Sequence, residues 1–179
     1  MATFAKIKMV SEDVTAYDVT GKYKAAGAYA AIEDGALVVL GDLDNSTVYT
    51  GNKDMNVFEI KAPAADTDEI AIVDIADVSK GDVRKEAWRV GIRTDGLSAE
   101  AGQPVRVRIL AKRDRFWISG EAFDGDVSVG KYATAKANST KFAPAEEAAA
   151  GKFCVKIEMA KDFVLGQTVA GKMYYCRVL

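Results

Sequence analysis

Histidine is absent from this 179-residue chain. That excludes Ser-His and Cys-His nucleophilic pairs, and with them the commonest side-chain base at neutral pH. Two cysteines, Cys154 and Cys176, are too few for a disulfide framework. Free thiols are the expected state, and a bridge between two C-terminal strands would require their Cβ atoms to come within reach. With no C-x-x-C pair and no histidine there is no zinc-ligand set, and no cofactor is expected. The phosphate-cradling loops G-x-x-x-x-G-K-[ST] and G-x-G-x-x-G are missing too. No uninterrupted apolar run approaches the roughly 18–20 residues of a membrane span, so no membrane partner is expected. Met1–Lys6 runs into alternating residues without a basic stretch and an apolar core of the signal-peptide kind, which predicts synthesis and retention in the cytoplasm. Proline is scarce, at three residues, and no Ser- or Gly-rich linker divides the chain, so one domain is expected.

What the chain does contain is short alternating runs between turns. The clearest stretch is Pro104–Ala135. Val105, Val107 and Ile109 alternate with Arg106, Arg108 and Leu110, the period of two that a half-buried strand needs. Phe116-Trp117-Ile118 follows, then a turn at Asp124-Gly125-Asp126, and alternation resumes through Val127, Val129 and Tyr132 around Gly130. Trp88 and Trp117 sit in apolar registers and are expected in the core. Ala36–Leu40 reads as a short strand, Glu69–Ala76 (EIAIVDIA) as a strong one, and Lys152–Met159 as a half-buried strand with Phe153, Val155, Ile157 and Met159 on one face. Lys172–Leu179 is the last strand. Pro144–Gly151, about two turns long, is the single candidate helix.

Turn signals recur about every ten residues, which suits a sandwich or barrel rather than βαβ units. The fold class predicted is therefore all-β: a compact sandwich or barrel-like domain with at most one short helix. Residues 1–31 are expected to be an N-terminal strand or extended arm followed by an irregular Tyr17–Ala31 segment, and residues 32–179 a single β-rich domain.

Candidate chemistry is thin. Asp42-Leu43-Asp44-Asn45-Ser46 resembles the start of a calcium loop, but the turning glycine is missing and Lys53 stands where the loop needs glutamate, so an Asx turn is expected. Asn45-Ser46-Thr47 and Asn138-Ser139-Thr140 fit the N-glycosylation pattern but, without a secretory route, read as loop composition. Among 26 acidic residues some carboxylate pair can always be proposed for glycoside hydrolysis, which gives that reading no specificity. No enzymatic activity is expected.

Charge is the more informative feature. The net charge is −2, yet Lys80–Arg115 holds ten basic residues against five acidic ones and seven of the eight arginines. Arg89 and Arg93 share one strand face, and Arg106 and Arg108 share another. Adjacent, they would form a basic face for an acidic protein surface or for phosphates. Arginines on the wet side of sheets also pair ordinarily with nearby carboxylates. Exposed aromatics interleaved with these cations, as single-stranded nucleic acid requires, are not evident in the sequence.

Two passages, Lys22–Leu43 (KYKAAGAYAAIEDGALVVLGDL) and Pro104–Ala145 with its D-G-D-x-x-x-x-G-K-Y pattern, cover about a third of the chain. In them the chain resembles the β-rich decoration, or cement, proteins of tailed bacteriophages, also found at the base of head fibres. The resemblance implies a virion structural protein, made in the host cytoplasm and located on the capsid exterior. Its partner would be the major capsid protein, with a homotrimer or a fibre protein as further possibilities and no catalytic residues to carry over. The expected contacts are Phe4, Ile7 and Met9 of the N-terminal portion and a basic face of Arg84, Arg89, Arg93, Arg106, Arg108 and Arg113. The alternatives are a phage tail or head-fibre-base structural protein and, less favoured, a nucleic-acid-binding β-domain.

Overall fold

The computed structural model describes residues 7–11, 18–44, 57–75, 98–165 and 168–179. They form an all-β molecule built from a closed barrel and an open sheet, as the alternating runs predict.

The barrel has five staves. β2 (Asp18–Ala25) runs parallel to β6 (Val57–Lys61), and the circuit continues antiparallel through β5 (Leu37–Leu43), β7 (Ala71–Asp74) and β9 (Val105–Ile109) back to β2. Its interior is filled by Val38, Ile60, Ala71, Val73, Val105 and Val107. β2 comes close because Gly21 has no side chain: a Cβ there would lie 2.7 Å from Ile60 Cγ2. β2 turns through Ala26 and Gly27, both at positive φ, into the short β3 (Ala28–Tyr29). The expectation of irregular structure across this stretch is therefore not met. Its alternation is hidden because an inward position carries glycine and the outward Lys22 is itself buried. A small ladder of β4 (Ile32–Glu33) and β8 (Ser98–Ala99) adds Ile32 and Ala99 to the barrel core.

The open sheet is antiparallel throughout. Its spatial order is β1 (Ile7–Ser11), β10 (Arg115–Ser119), β14 (Thr168–Val178), β13 (Cys154–Leu165), β11 (Tyr132–Ala135) and β12 (Phe142–Ala145). The candidate helix at 144–151 does not form. Phe142–Ala145 is an edge strand, where Pro144 opposite Ala133 costs little for its missing N–H, and turns follow to Gly151. A two-turn helix without a docking face lacks the length to offset its nucleation cost. The alternation from Val127 also starts too early: Gly130, at φ 90°, turns the chain, Val129 is exposed, and pairing begins at Tyr132. A 3-10 turn, Gly120–Ala122, follows β10.

The two halves share a wall. Along β5, Val38 faces the barrel interior, whereas Leu37 joins Ile70, Ile72, Phe116, Ile118, Phe142, Val155, Ile157 and Cys176 in a second core beneath the open sheet. β7 does the same, with Ala71 and Val73 on one side and Ile72 on the other. Both faces of these strands are buried, which is why EIAIVDIA reads as an almost continuous apolar run. Each large side chain so buried contributes about 1.5–3 kcal/mol.

Residues 7–11 are no loose arm. Ile7 is buried in the second core, and its N–H donates to the carboxylate of Asp34 at 3.2 Å. Asp34 is itself buried and also accepts from the Ile75 N–H at 2.8 Å. One side chain in the Glu33-Asp34-Gly35 turn thus ties β1 to the end of β7.

Candidate functional site

Phe4, Arg84, Arg89 and Arg93, as well as Trp88, lie outside the described residues. Arg106 and Arg108 do share the outer face of β9, but both guanidinium groups turn onto Asp74. Arg106 Nη2 and Arg108 Nε donate to its Oδ2 at 2.7 and 2.6 Å, and Arg108 Nη1 stands 3.4 Å from Asp18 Oδ1. Two arginines thus meet two carboxylates on the barrel wall. Arg113 is exposed in the turn before β10, at φ 81°, with its N–H donating to Val178 O. Ile7 is spent on the core, and Met9 stands opposite Phe116 at the edge of the open sheet. The described members of the expected contact set therefore lie at three places, on β1, on β9 and in the turn before β10.

A different surface converges on the outer face of the open sheet. Phe116, Cys176 and Ile157 lie in register across three strands and point into the core, so their chain neighbours point out. Trp117 pairs with Tyr175, and their rings meet at 5.1 Å between centroids, tilted by 53°. Lys161 Nζ sits 4.3 Å from the centroid of the Trp117 ring, a cation–π contact. Trp117 is half-buried on this outer face, not in the core where its apolar flanks place it from sequence.

Met159 reaches the same face through a β-bulge. Val155 and Ile157 point inward, and strict alternation would send Met159 after them. The register shifts between Ile157 and Met159, so Met159 stands opposite Tyr175 and is 54% exposed. Bulges re-aim side chains in this way. The expectation that Met159 shares a buried face with Phe153, Val155 and Ile157 fails for this reason, because one inserted residue cannot be seen in a pattern of period two.

Beside the aromatic row runs a basic one. Arg115, Arg177 and Lys156 occupy consecutive cross-strand positions on β10, β14 and β13, followed by Tyr132 on β11. At about 4.8 Å between strands, three cations span roughly 10 Å. Glu158 offsets part of this charge through its ion pair with Arg177 at 2.7 Å. With Lys161, the described side chains of this face include four cations beside Glu158, on a protein whose net charge is −2. Sequence reading missed these residues because they are dispersed over 115–177. The available signal was the outward alternate of each strand once Phe116, Ile157 and Cys176 are fixed as inward.

Other polar groupings are internally satisfied. Lys22 and Asp44 form a buried ion pair at 2.7 Å, and Tyr29 Oη donates to Asp44 at 2.7 Å. Lys24 pairs with Glu59; that hydrogen bond is the main cause raising the lysine pKa and lowering that of the carboxyl. A cleft of about 360 Å³ beside Val39, Leu40, Ala71 and Ile109 includes Asp68, whose carboxylate already accepts from the N–H groups of Ala64 and Ala65. Cys154 and Cys176 are buried and unbridged, Cys176 standing opposite Ile157 and Cys154 opposite Thr134. Burial pushes the Cys176 thiol pKa well above its usual range, the nearby Glu158 adding to the shift, which disfavours the reactive thiolate. Among the described residues no group of three or more His, Cys, Asp or Glu side chains could hold a metal, and no helix is long and apolar enough to cross a membrane.

No protein-family model matches the chain, and no curated protein matches it significantly.

Proposed function

We propose that this protein is a virion structural component that binds the outer surface of an icosahedral capsid and stabilises the contacts between capsomers. The observation that carries this reading is the outer face of the open sheet. There an aromatic pair, an exposed methionine and a row of cations are presented on paired strands backed by a closed core. Aromatics, Met and Arg are the residues enriched where proteins meet proteins, and a rigid support keeps the ordering cost of binding low. The two passages that resemble phage decoration proteins supply architecture. Lys22–Leu43 carries barrel staves and the Asp34 tie, and Pro104–Ala145 carries β9, β10, β11 and β12.

The physical role follows from linkage. A protein that binds only the assembled shell stabilises that state by mass action, and many repeated weak sites add up to a large resistance to opening. The test is particle composition. Particles purified from the cells that carry this gene should contain the protein in fixed proportion to the shell protein. Shells stripped of it should open at lower temperature and regain their resistance when it is added back. Particles without the protein, or shells indifferent to it, would remove the reading.

A further inference from the structure

We infer that the docking surface is the outer face of the open sheet, centred on Trp117, Met159 and Lys161, and that its occupant is a carboxylate-bearing protein surface with an apolar recess for Met159. This rests on the capsid-binding reading and deepens it by naming the face and the chemistry of the partner.

Three observations select this occupant. The face concentrates positive charge on a molecule of opposite net sign: Arg115, Lys156, Lys161 and Arg177 against Glu158, on a chain of −2. Its complement is therefore acidic. The bulge at Glu158–Met159 turns a long, flexible apolar side chain out of the core and leaves it 54% exposed opposite Tyr175, which itself packs on Trp117. A thioether in that setting adapts to an irregular recess, which suits a protein surface. Finally, the ring surfaces are engaged within the protein itself. Lys161 lies over Trp117 at 4.3 Å, and Tyr175 leans against Trp117 at 53°. Base stacking on single-stranded nucleic acid needs an open ring face, so the same cations without such a platform favour carboxylates over a polynucleotide.

The barrel face is the natural control. Arg106 and Arg108 are also cationic and in part exposed, but they are held by Asp74. Charge reversal there should leave docking intact.

The experiment uses the full chain and purified shells that lack it, in a co-sedimentation assay at low and at raised salt. Met159→Glu and Lys161→Glu should each lower the affinity at least tenfold, and Arg106→Glu should change it less than twofold. Raised salt should weaken wild-type binding. Because both tested side chains are exposed, unchanged circular dichroism and melting temperature would show that the variants remain folded. Lys161→Arg should bind as wild type does, since a guanidinium keeps both the charge and the ring contact. If wild type binds but both reversal variants bind equally well, the face is misassigned and the capsid-binding reading stands. If wild type fails to bind shells at all, both fall. A 20-nucleotide oligo(dT) is the parallel probe by fluorescence anisotropy. Tight, salt-sensitive binding lost in the two reversal variants would make the occupant a nucleic acid and overturn the assignment.

Discussion

Asp34 joins three segments that lie far apart along the chain. Its two carboxylate oxygens accept from backbone N–H groups 27 and 41 positions away, at Ile7 and Ile75, and the carboxylate is itself buried. Asp34→Ala would leave two donors unpaired, and we predict a loss of about 2–4 kcal/mol, read as a shift in the urea midpoint. Asp34→Asn, which keeps one accepting oxygen, should lose less. Cys176 sets a second prediction, one that depends on pH. Its folded pKa is raised, first by burial and then by Glu158, so on alkalinisation the thiol ionises in the unfolded chain before it does so in the folded one. The unfolded state then binds fewer protons, and stability falls as the pH rises above about 8.5, by about 1.4 kcal/mol per pH unit. Cys176→Ala should remove that part of the slope between about pH 8.5 and 10. Above that, Tyr23 and Tyr174, also raised by burial, contribute to the decline in both proteins. Urea titrations at a series of pH values measure the difference. Neither residue's role was legible in the sequence. A turn aspartate and an alternating cysteine look the same whether or not distant backbone groups or a closed core surround them.

At the scale of elements, alternation was clearest in strands with one wet face, while β5 and β7, buried on both faces, were legible as short apolar runs. Val105–Ile109 shows its alternation directly, because the arginines face outward and the valines fill the barrel. Misreadings fell where a second constraint overrides the period: Gly21 thinning β2 for close approach, the bulge that re-aims Met159 within the otherwise correctly read β13, and the edge proline of β12. β5 is the reverse case, buried on both faces. There we predict that Leu37→Ala and Val38→Ala, adjacent and pointing oppositely, each cost about 2–5 kcal/mol, whereas on a half-buried strand one of two neighbours is nearly silent. The β13–β14 hairpin makes a further prediction. Its base is flanked by β11 and β10, but beyond Lys161↔Met173 the two strands, up to Leu165↔Thr168, pair only with each other among the described residues. A two-stranded ribbon is marginal in water. Amide hydrogens at 162–165 should therefore exchange markedly faster than those at 154–157, and equal protection along the hairpin would contradict this topology.

At the scale of the whole molecule, the sequence predicts the class but not the arrangement, because which strands close a barrel is decided by pairings between distant segments such as β2 with β9. The arrangement has an energetic consequence. Leu37, Ile70 and Ile72 face one core while Val38, Ala71 and Val73 from the same two segments face the other. Neither core can be opened without exposing a wall of its neighbour, so barrel and open sheet should unfold together. Ile60→Ala touches only the barrel interior and Phe142→Ala only the core under the open sheet, both at fully buried sites. We predict that each lowers one common transition, by about 2–5 and 3–5 kcal/mol respectively. Calorimetric and van't Hoff enthalpies should agree in the wild type and in both variants. If instead Ile60→Ala split the trace into an early and an unshifted late transition, the shared wall would not couple the halves. The outer sheet face would then rest on an independently folding unit, and the proposed shell binding would survive the loss of the barrel.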